Sequence, residues 1–567
     1  MDVYDFTDSD SDSSFHGFDT PDIFGANNNS DSDTLSNNGS DISISDLSDI
    51  SDLSSDNDDF QVDPPEWTRD FQQADIPYFN QPCGPVYPGN FSPQTASQLE
   101  YLQLFLTDSL LQTIVDNTNK YAEKRFVEKQ VDTEKYWKEP LTMVELKAFI
   151  GIAIIFGIAP LPQARLYWNK SPVFNNSSVN RTMPFKRYEK INEYLLVNDP
   201  NNEPKKGTPG YHKLYKIKPV LDCCAEKFAM YYRPGEHQSI DEGMIACKSR
   251  IDFLQYMPDK PRKRGVKLFL RCESKTGYLH QFDVYLGKRN TTARGQYGLY
   301  FDVISDLTHS LRGKNHRVYF DNLYTSIPIL QLLQSHQIFA CGTVRANRKF
   351  LPEPVAKATE KGKDRGWFVS FQDSKNRNLT ATAWNDTKMV RFASTLSRPE
   401  IAGQCMRRSG AQTLILPRPH LAQQYGDHMG GVDICDQLRA KYKVGRFTKK
   451  NWKYILWWFV SQSIINAWIL YSSSSRVVHK KEYKQLNFRH DLANQLINGF
   501  SSRKLNVFAP KPTKSSHHQN VHLGKKLGRS CYSHKKYYGK KKRTIYGCIE
   551  CNVNLCKDCH IRFHQQK

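Results

Sequence analysis

Apolar residues recur at helical spacing between residues 96 and 235 and then switch to strand-like alternation. SQLEYLQLFLTDSLLQTIVDNTNKYAEKRF, LTMVELKAFIGIAII, RYEKINEYLLV and KIKPVLDCCAEKFAMYY each gather apolar side chains into one stripe, which predicts four helices. From residue 237 the period shortens. HQSIDEGMIA predicts a strand, KLFLRCESKTGYLHQFDVYLG two strands joined at the SKTG turn, HRVYFDNLYTSIPILQLLQSHQ a strand running into a helix, and FACGTVRAN another strand. Strands followed by a strand-helix-strand unit imply a mixed sheet flanked by helices. Residues 348 to about 419, with charged loops around GWFVSF and KMVRFAST, read as an insertion between two parts of that sheet domain. The helical pattern resumes at 431 and runs, with one basic interruption, to about 475.

Two apolar stretches test for a membrane span. AFIGIAIIFGIAPL at 148 to 161 is too short, and YILWWFVSQSIINAWILY at 454 to 471 is broken by Ser461, Gln462, Ser463 and Asn466. Both read as buried core helices, and a membrane protein is rejected. The first thirty residues are acidic and lack an apolar core, so no secretory signal is expected and the protein is expected to stay inside the cell.

Charge changes the picture more than composition does. Residues 1 to 60 hold sixteen aspartates and no Lys, Arg or Glu, which leaves +37 on the rest of a chain whose net charge is +21. Such a surplus favours a polyanion, nucleic acid above all, because neutralising phosphates releases counterions. The Ser-, Asp- and Asn-rich segment 1–62 has too few large apolar residues to offset the entropy of ordering and is expected to be disordered. It reads as a solubilising tail or as an acidic decoy for the basic body. No internal repeat is present.

Three aspartates stand out by position. Asp241 in SIDEGM and Asp321 in VYFDNLYTS close predicted strands, and Asp433 in GGVDICDQ starts a helix. Carboxylates gathered by a sheet suit two Mg²⁺ ions about 4 Å apart, which would stabilise the attacking and leaving oxygens at a phosphate. Each also has an ordinary reading: strand-end aspartates form turns, and Asp433 after two glycines fits a helix N-cap. Glu242 would point to the opposite face of its strand, as a surface or supporting residue. Cys435 reads as a buried thiol. KPRKRGVK, with Lys260, Arg262, Lys263 and Arg264, suits a phosphate backbone. RAKYKVGRFTKKNWK, with Arg439, Lys441, Lys443, Arg446, Lys449, Lys450 and Trp452, interleaves cations with aromatics and suits one too. The alternative is a solvated helix face.

Of thirteen cysteines, five fall in the last thirty-seven residues. There Cys531, His534, Cys548, Cys551, Cys556, Cys559, His560 and His564 form a CxxH, two CxxC pairs and an HxxxH, enough for two tetrahedral Zn²⁺ ions. A forty-residue module needs such a staple. Interleaved pairing would put Cys531, His534, Cys556 and Cys559 on one ion and Cys548, Cys551, His560 and His564 on the other. A protein-binding RING-like or PHD-like finger is the other reading of the module. KKYYGKKKRT argues for DNA, and KKKR doubles as a nuclear localisation signal.

SIDEGM, YFDNLYTS and GGVDICDQ, in that order, with a basic helix after the third and a zinc-like cluster at the end, resemble the piggyBac family of DNA transposases from about residue 96 to the C-terminus. The resemblance implies an α+β multidomain chain. Its layout would be an acidic tail 1–62, a linker 63–95 and a helical dimerisation and DNA-binding domain from 96–236 and 443–500. An RNase H-like catalytic core would come from 237–347 and 420–442, interrupted by an insertion domain 348–419. A linker 501–527 and a cysteine-rich zinc-binding domain 528–567 complete it. It also implies that Asp241, Asp321 and Asp433 are a DDD metal triad, that Asp436 is a further required aspartate, and that Trp452 lies behind the active site. A nuclear homodimer would bind double-stranded transposon ends, nick to leave a 3′-OH, form hairpin ends and join them to TTAA-like targets. His534 and His560 depart from the family's usual Cys and Phe. Two readings of another class stand beside the enzyme: a domesticated relative that binds DNA without cutting, and a chromatin-binding scaffold.

Overall fold

The computed structural model describes residues 60–247, 249, 251–258, 263–287, 297–396, 398–399, 402–409, 412–445, 448, 450–474, 483–502, 520–522, 529–548 and 553–565. The first long helical pattern is broken in two. A short helix, Gln98–Gln103, has Ser97 and Glu100 as a reciprocal capping box, and Thr107 caps the next helix, α1 (Asp108–Glu128), by accepting from the Leu110 N–H. α2 (Met143–Ile158), α3 (Phe185–Tyr194) and α4 (Lys218–Met230) come next, each near its predicted place.

The sheet is built from β1 (His237–Ala246), β2 (Arg264–Glu273), β3 (Leu279–Val284), β4 (Arg317–Phe320), β5 (Phe339–Thr343), β6 (Phe368–Asp373), β7 (Thr380–Asn385) and β8 (Met389–Ser394). Their order across the sheet is β6-β7-β8-β5-β4-β1-β2-β3, with β1 parallel to β4, β4 parallel to β5, and the other pairs antiparallel. The sheet therefore runs on across residue 348, and β6 to β8 extend it beyond β5. Sequence periodicity missed β7, TATAWN, because its six residues are all buried and do not alternate. It also missed a separate two-stranded ribbon, β9 (Ala402–Ser409) and β10 (Gln412–Pro419).

Alternate residues of β1 and β4 serve two cores. Ile240, Val318 and Phe320 pack with α5 (Leu299–Thr308) and α6 (Ile327–Ser335) on one face. On the other, Tyr319 and Cys341 pack with α7 (His420–His428), while Leu268, Leu270 and Cys272 pack with α8 (Gly431–Lys441) and α9 (Asn451–Ser473).

The polar residues that interrupt the apolar run of α9 explain how that helix docks. Asn466 accepts from the Leu279 N–H at 3.2 Å and donates to the Leu279 carbonyl at 3.0 Å, so its amide completes the edge of β3. Gln462 donates to Asn466 and accepts from the Cys435 thiol, which ties α8 to α9. No described helix is long and apolar enough to cross a membrane. α10 (Gln485–Ile497) closes the helical core.

Residues 60–87, expected as tail and linker, lie tied along the domain. Phe60 packs on Phe301, Trp67–Thr68 pairs with β6, Gln72 and Gln372 exchange two hydrogen bonds, and Gly84–Pro85 pairs with Tyr232–Arg233.

Candidate active site and C-terminal metal centre

Asp241 lies within β1 and Asp321 directly succeeds β4, whose parallel pairing with β1 ends at Ile240 and Phe320. The register sets the two aspartates side by side. Asp321 is held by the turn that leads from it into α6: its Oδ1 accepts from the Leu323 N–H at 2.8 Å, and its carbonyl accepts from the Thr325 hydroxyl at 2.7 Å. Arg348 donates to the carbonyls of Asn322 and Leu323 in the same turn.

Carboxylate oxygens of Asp241, Glu242 and Asp321 all lie within 4.8 Å of one another. Glu242 is thus not a surface residue. It is 4% exposed, with Oε1 3.3 Å from the Lys267 ammonium. Strand alternation did not separate the neighbours, and Asp241 Oδ1 accepts from the Glu242 N–H at 2.7 Å. The signal in the sequence was the adjacent acid pair in SIDEGM, matched by a lone cation in the apolar strand GVKLFL. The Tyr324 hydroxyl, buried beside this group, is held protonated well above the usual range by burial first and then by the charges of Glu242 and Asp241. Oxygen donors this close suit a hard divalent cation.

Asp433 does not join that group. It sits on the exposed side of the first turn of α8, whose buried side carries Val432 and Cys435. The helix start still rests on the carboxylate side of the sheet. A Cβ at Gly431 would clash with Ser239 Oγ and lie 2.7 Å from the Glu273 carbonyl, so only glycine allows α8 this close to β1. A Cβ at Gly277, in the SKTG turn at φ +71°, would meet the Cys435 nitrogen at 2.8 Å. Asp436 is paired with Arg439, whose guanidinium stacks 4.6 Å from the Trp458 ring.

That pairing and three further contacts redistribute the basic residues. Lys450 donates to the Glu193 carbonyl at 3.0 Å, Lys453 is buried and bonded to Asn192, and Trp452 is buried in the helical core. The two lysines secure the C-terminal end of α3, where helix carbonyls lack partners. Lys263, Arg264, Lys441 and Lys443 are exposed. Lys260, Arg262, Arg446 and Lys449 lie outside the described residues.

In the C-terminal module, ligand atoms of Cys531, His534, Cys556 and Cys559 lie within 4.8 Å of one another, and so do those of Cys548, His560 and His564. Cys551, expected with the second set, lies outside the described residues. His534 Nδ1 is 3.3 Å from Cys556 Sγ and 3.4 Å from Cys559 Sγ. His564 Nδ1 donates to the His560 carbonyl at 2.7 Å, which leaves Nε2 for a metal. Burial, then hydrogen bonds that the Cys559 S–H donates to Cys556 and Cys531, push this thiol well above its ordinary range. Three thiols and an imidazole this close suit a cation that takes four nitrogen and sulfur ligands.

Residues 97–468 match the family model described as Transposase IS4. Human piggyBac transposable element-derived protein 5 is 25% identical over 447 residues, covering 76% of this chain and 80% of its own length. The chain belongs to the piggyBac family of transposases. Human piggyBac transposable element-derived protein 3 is 27% identical over 497 residues, covering 84% of this chain and 78% of itself. A cryo-electron microscopy structure of a piggyBac transposase synaptic complex with hairpin DNA has the same fold. Its TM-score is 0.65 at 21% identity, over 84% of this chain and all of that one. The match of this piggyBac-family chain to the family model begins at the capping box of the first helix and ends within α9.

Proposed function

We propose that the protein is a metal-dependent DNA transposase that cuts and rejoins double-stranded transposon ends, acting as a nuclear homodimer. The observation that carries this reading is the meeting of Asp241, Glu242 and Asp321 oxygens within 4.8 Å at the end of a parallel strand pair. In this reading the five strands β3-β2-β1-β4-β5 are an RNase H-like core, and β6 to β10 belong to the insertion. Helices on both sides form the dimerisation and DNA-binding part.

Asp241 and Asp321 would hold two Mg²⁺ ions, and Asp433 would complete the site from the helix start resting over Ser239. Such ions supply charge stabilisation to the attacking and leaving oxygens at the scissile phosphate. The residues of the chain do the rest. The turn after Asp321 fixes its carboxylate before DNA arrives, and exposed Lys263, Arg264, Lys441 and Lys443 take up flanking phosphates. Water breaks the first strand and leaves a 3′-OH, which then displaces the opposite strand to form a hairpin. After the hairpin opens, the same hydroxyl attacks target DNA at TTAA-like sites. Two Zn²⁺ ions on the two Cys/His groups would fold the C-terminal module, whose cationic segment Lys535 to Arg543 suits the terminal DNA.

The test is excision, in cells, of a marker flanked by the matching ends, with Asp321→Asn beside the parent. Excision by the parent and at least about a hundredfold loss in the variant are expected, as for removal of a group that stabilises transition-state charge. No excision by the parent, with end binding retained, would instead make this a DNA-binding protein that does not cut.

A further inference from the structure

The carboxylate group contains a buried ion pair that the aspartate chemistry does not use. Glu242 and Lys267 meet diagonally across β1 and β2, with side chains 4% and 9% exposed and the ammonium 3.3 Å from Oε1. The Lys267 ammonium also lies 4.8 Å from the Phe269 ring, 5.1 Å from the Tyr300 ring and 3.5 Å from the Tyr300 hydroxyl. It is a cation enclosed by aromatic faces, beside three carboxylates. Replacing one partner of such a pair would leave a buried charge uncompensated, so as a purely structural device it is poor value.

A second group points the same way. The Tyr324 hydroxyl belongs to a side chain 2% exposed, and it faces Glu242, Asp241 and Asp321 without a hydrogen bond of good geometry. Tyr324 packs between Phe269 and Tyr300, with ring centroids 6.2 and 5.4 Å away, so the same aromatic wall that encloses Lys267 also aims this hydroxyl at the acids.

We propose that Glu242 is a further oxygen ligand of the divalent-cation site of Asp241 and Asp321, and that Lys267 is the counter-cation which holds Glu242 until the metal displaces it. The inference rests on the reading of Asp241 and Asp321 as a cation site. Three carboxylates within 4.8 Å repel one another, and the Lys267 ammonium, 3.3 Å from Glu242, offsets one charge. A divalent cation offsets two, and it draws on oxygens from all three at once. When it binds, Glu242 turns one oxygen toward the ion and Tyr324 donates to the other, while Lys267 keeps its aromatic contacts. The buried pair thereby keeps the acids assembled before the metal arrives. It also sets the affinity, because the ion has to win Glu242 from Lys267.

Mn²⁺ binding to the zinc-loaded full-length protein without DNA, read by electron paramagnetic resonance of the free ion, tests this without reference to cutting. Asp321→Asn and Glu242→Gln should each weaken binding by at least about tenfold. Lys267→Gln, which keeps all three carboxylates, should tighten it by at least about threefold, because a competing charge is gone. If Asp321→Asn weakens binding while Glu242→Gln and Lys267→Gln titrate like the parent, Glu242 is no ligand and the cation site stands without it. If Asp321→Asn also titrates like the parent, the cation site itself falls. Should Glu242→Gln fail to fold, Lys267→Gln decides alone: tighter binding supports the proposal and unchanged or weaker binding overturns it.

Discussion

Asp241 and Asp321 are separated by eighty residues of sequence and meet because β1 and β4 pair in parallel. The C-terminal ligands, by contrast, all fall between Cys531 and His564. Around the first pair stand two hydrophobic cores, one on each face of the sheet. Around the second, the described apolar residues are few: Val553 and Leu555 with four cysteines, and Tyr537 and Phe563 packed beside them. The sheet therefore assembles its carboxylates by folding and would hold them with or without an ion. The described part of the module has few apolar residues, and on the proposed reading its Cys and His side chains come together by binding one.

The sharpest break between the two regions should come from metal removal. A strong zinc chelator, or Cys556→Ser, should unfold residues 529–565 completely, seen as loss of their amide dispersion and as rapid proteolysis. The thermal midpoint of the sheet and helical body should not change. A body that melts together with the module would erase the distinction.

Acid should act on the sheet as well as on the module's Cys and His side chains. Burial holds the imidazoles of His280 and His316 at about 4, and that of His237, stacked at 3.6 Å on His428, at about 3. Neutral in the fold, these groups bind no proton between pH 6.5 and about 4, whereas the unfolded chain does. Stability is therefore present above pH 6.5 and lost as pH falls through that window. A shift of this size is worth about 3 kcal/mol for one histidine. Thermal unfolding from pH 7 to 4.5 should show the midpoint of the body falling, and His280→Gln should fall less steeply than the parent. A midpoint independent of pH would contradict the burial argument.

Legibility in the sequence tracks the same contrast. In the module, ligand spacing is local, so pairs such as CxxC and HxxxH could be read without the fold. In the sheet, β1 to β5 were legible because their apolar runs are bounded by turns, and Asp321 was legible as a strand end, whereas Asp241 lies in the middle of β1. What lay hidden depended on side-chain direction. Asp241 and its neighbour Glu242 bring their oxygens together despite strand alternation, and α8 shows Asp433 to solvent while burying Cys435. Lys450, Lys453 and Arg439 read as a cationic surface run, yet they are committed to Glu193, Asn192 and Asp436. Charge runs say where cations are in the chain and nothing about which carbonyl or carboxylate lies opposite. Residues 60–87 lack periodicity because their contacts, such as Gln72 with Gln372, are made one or two residues at a time to partners far away in the chain.

The most direct test of the central claim is strand cleavage by the purified full-length protein on linear duplex DNA carrying the matching end, with Mg²⁺ titrated in. The account predicts a nick that leaves a 3′-OH and is succeeded by a hairpin, with no product when divalent cations are chelated and none from Asp321→Asn. Cleavage that persists in Asp321→Asn, or without any divalent cation, would contradict it.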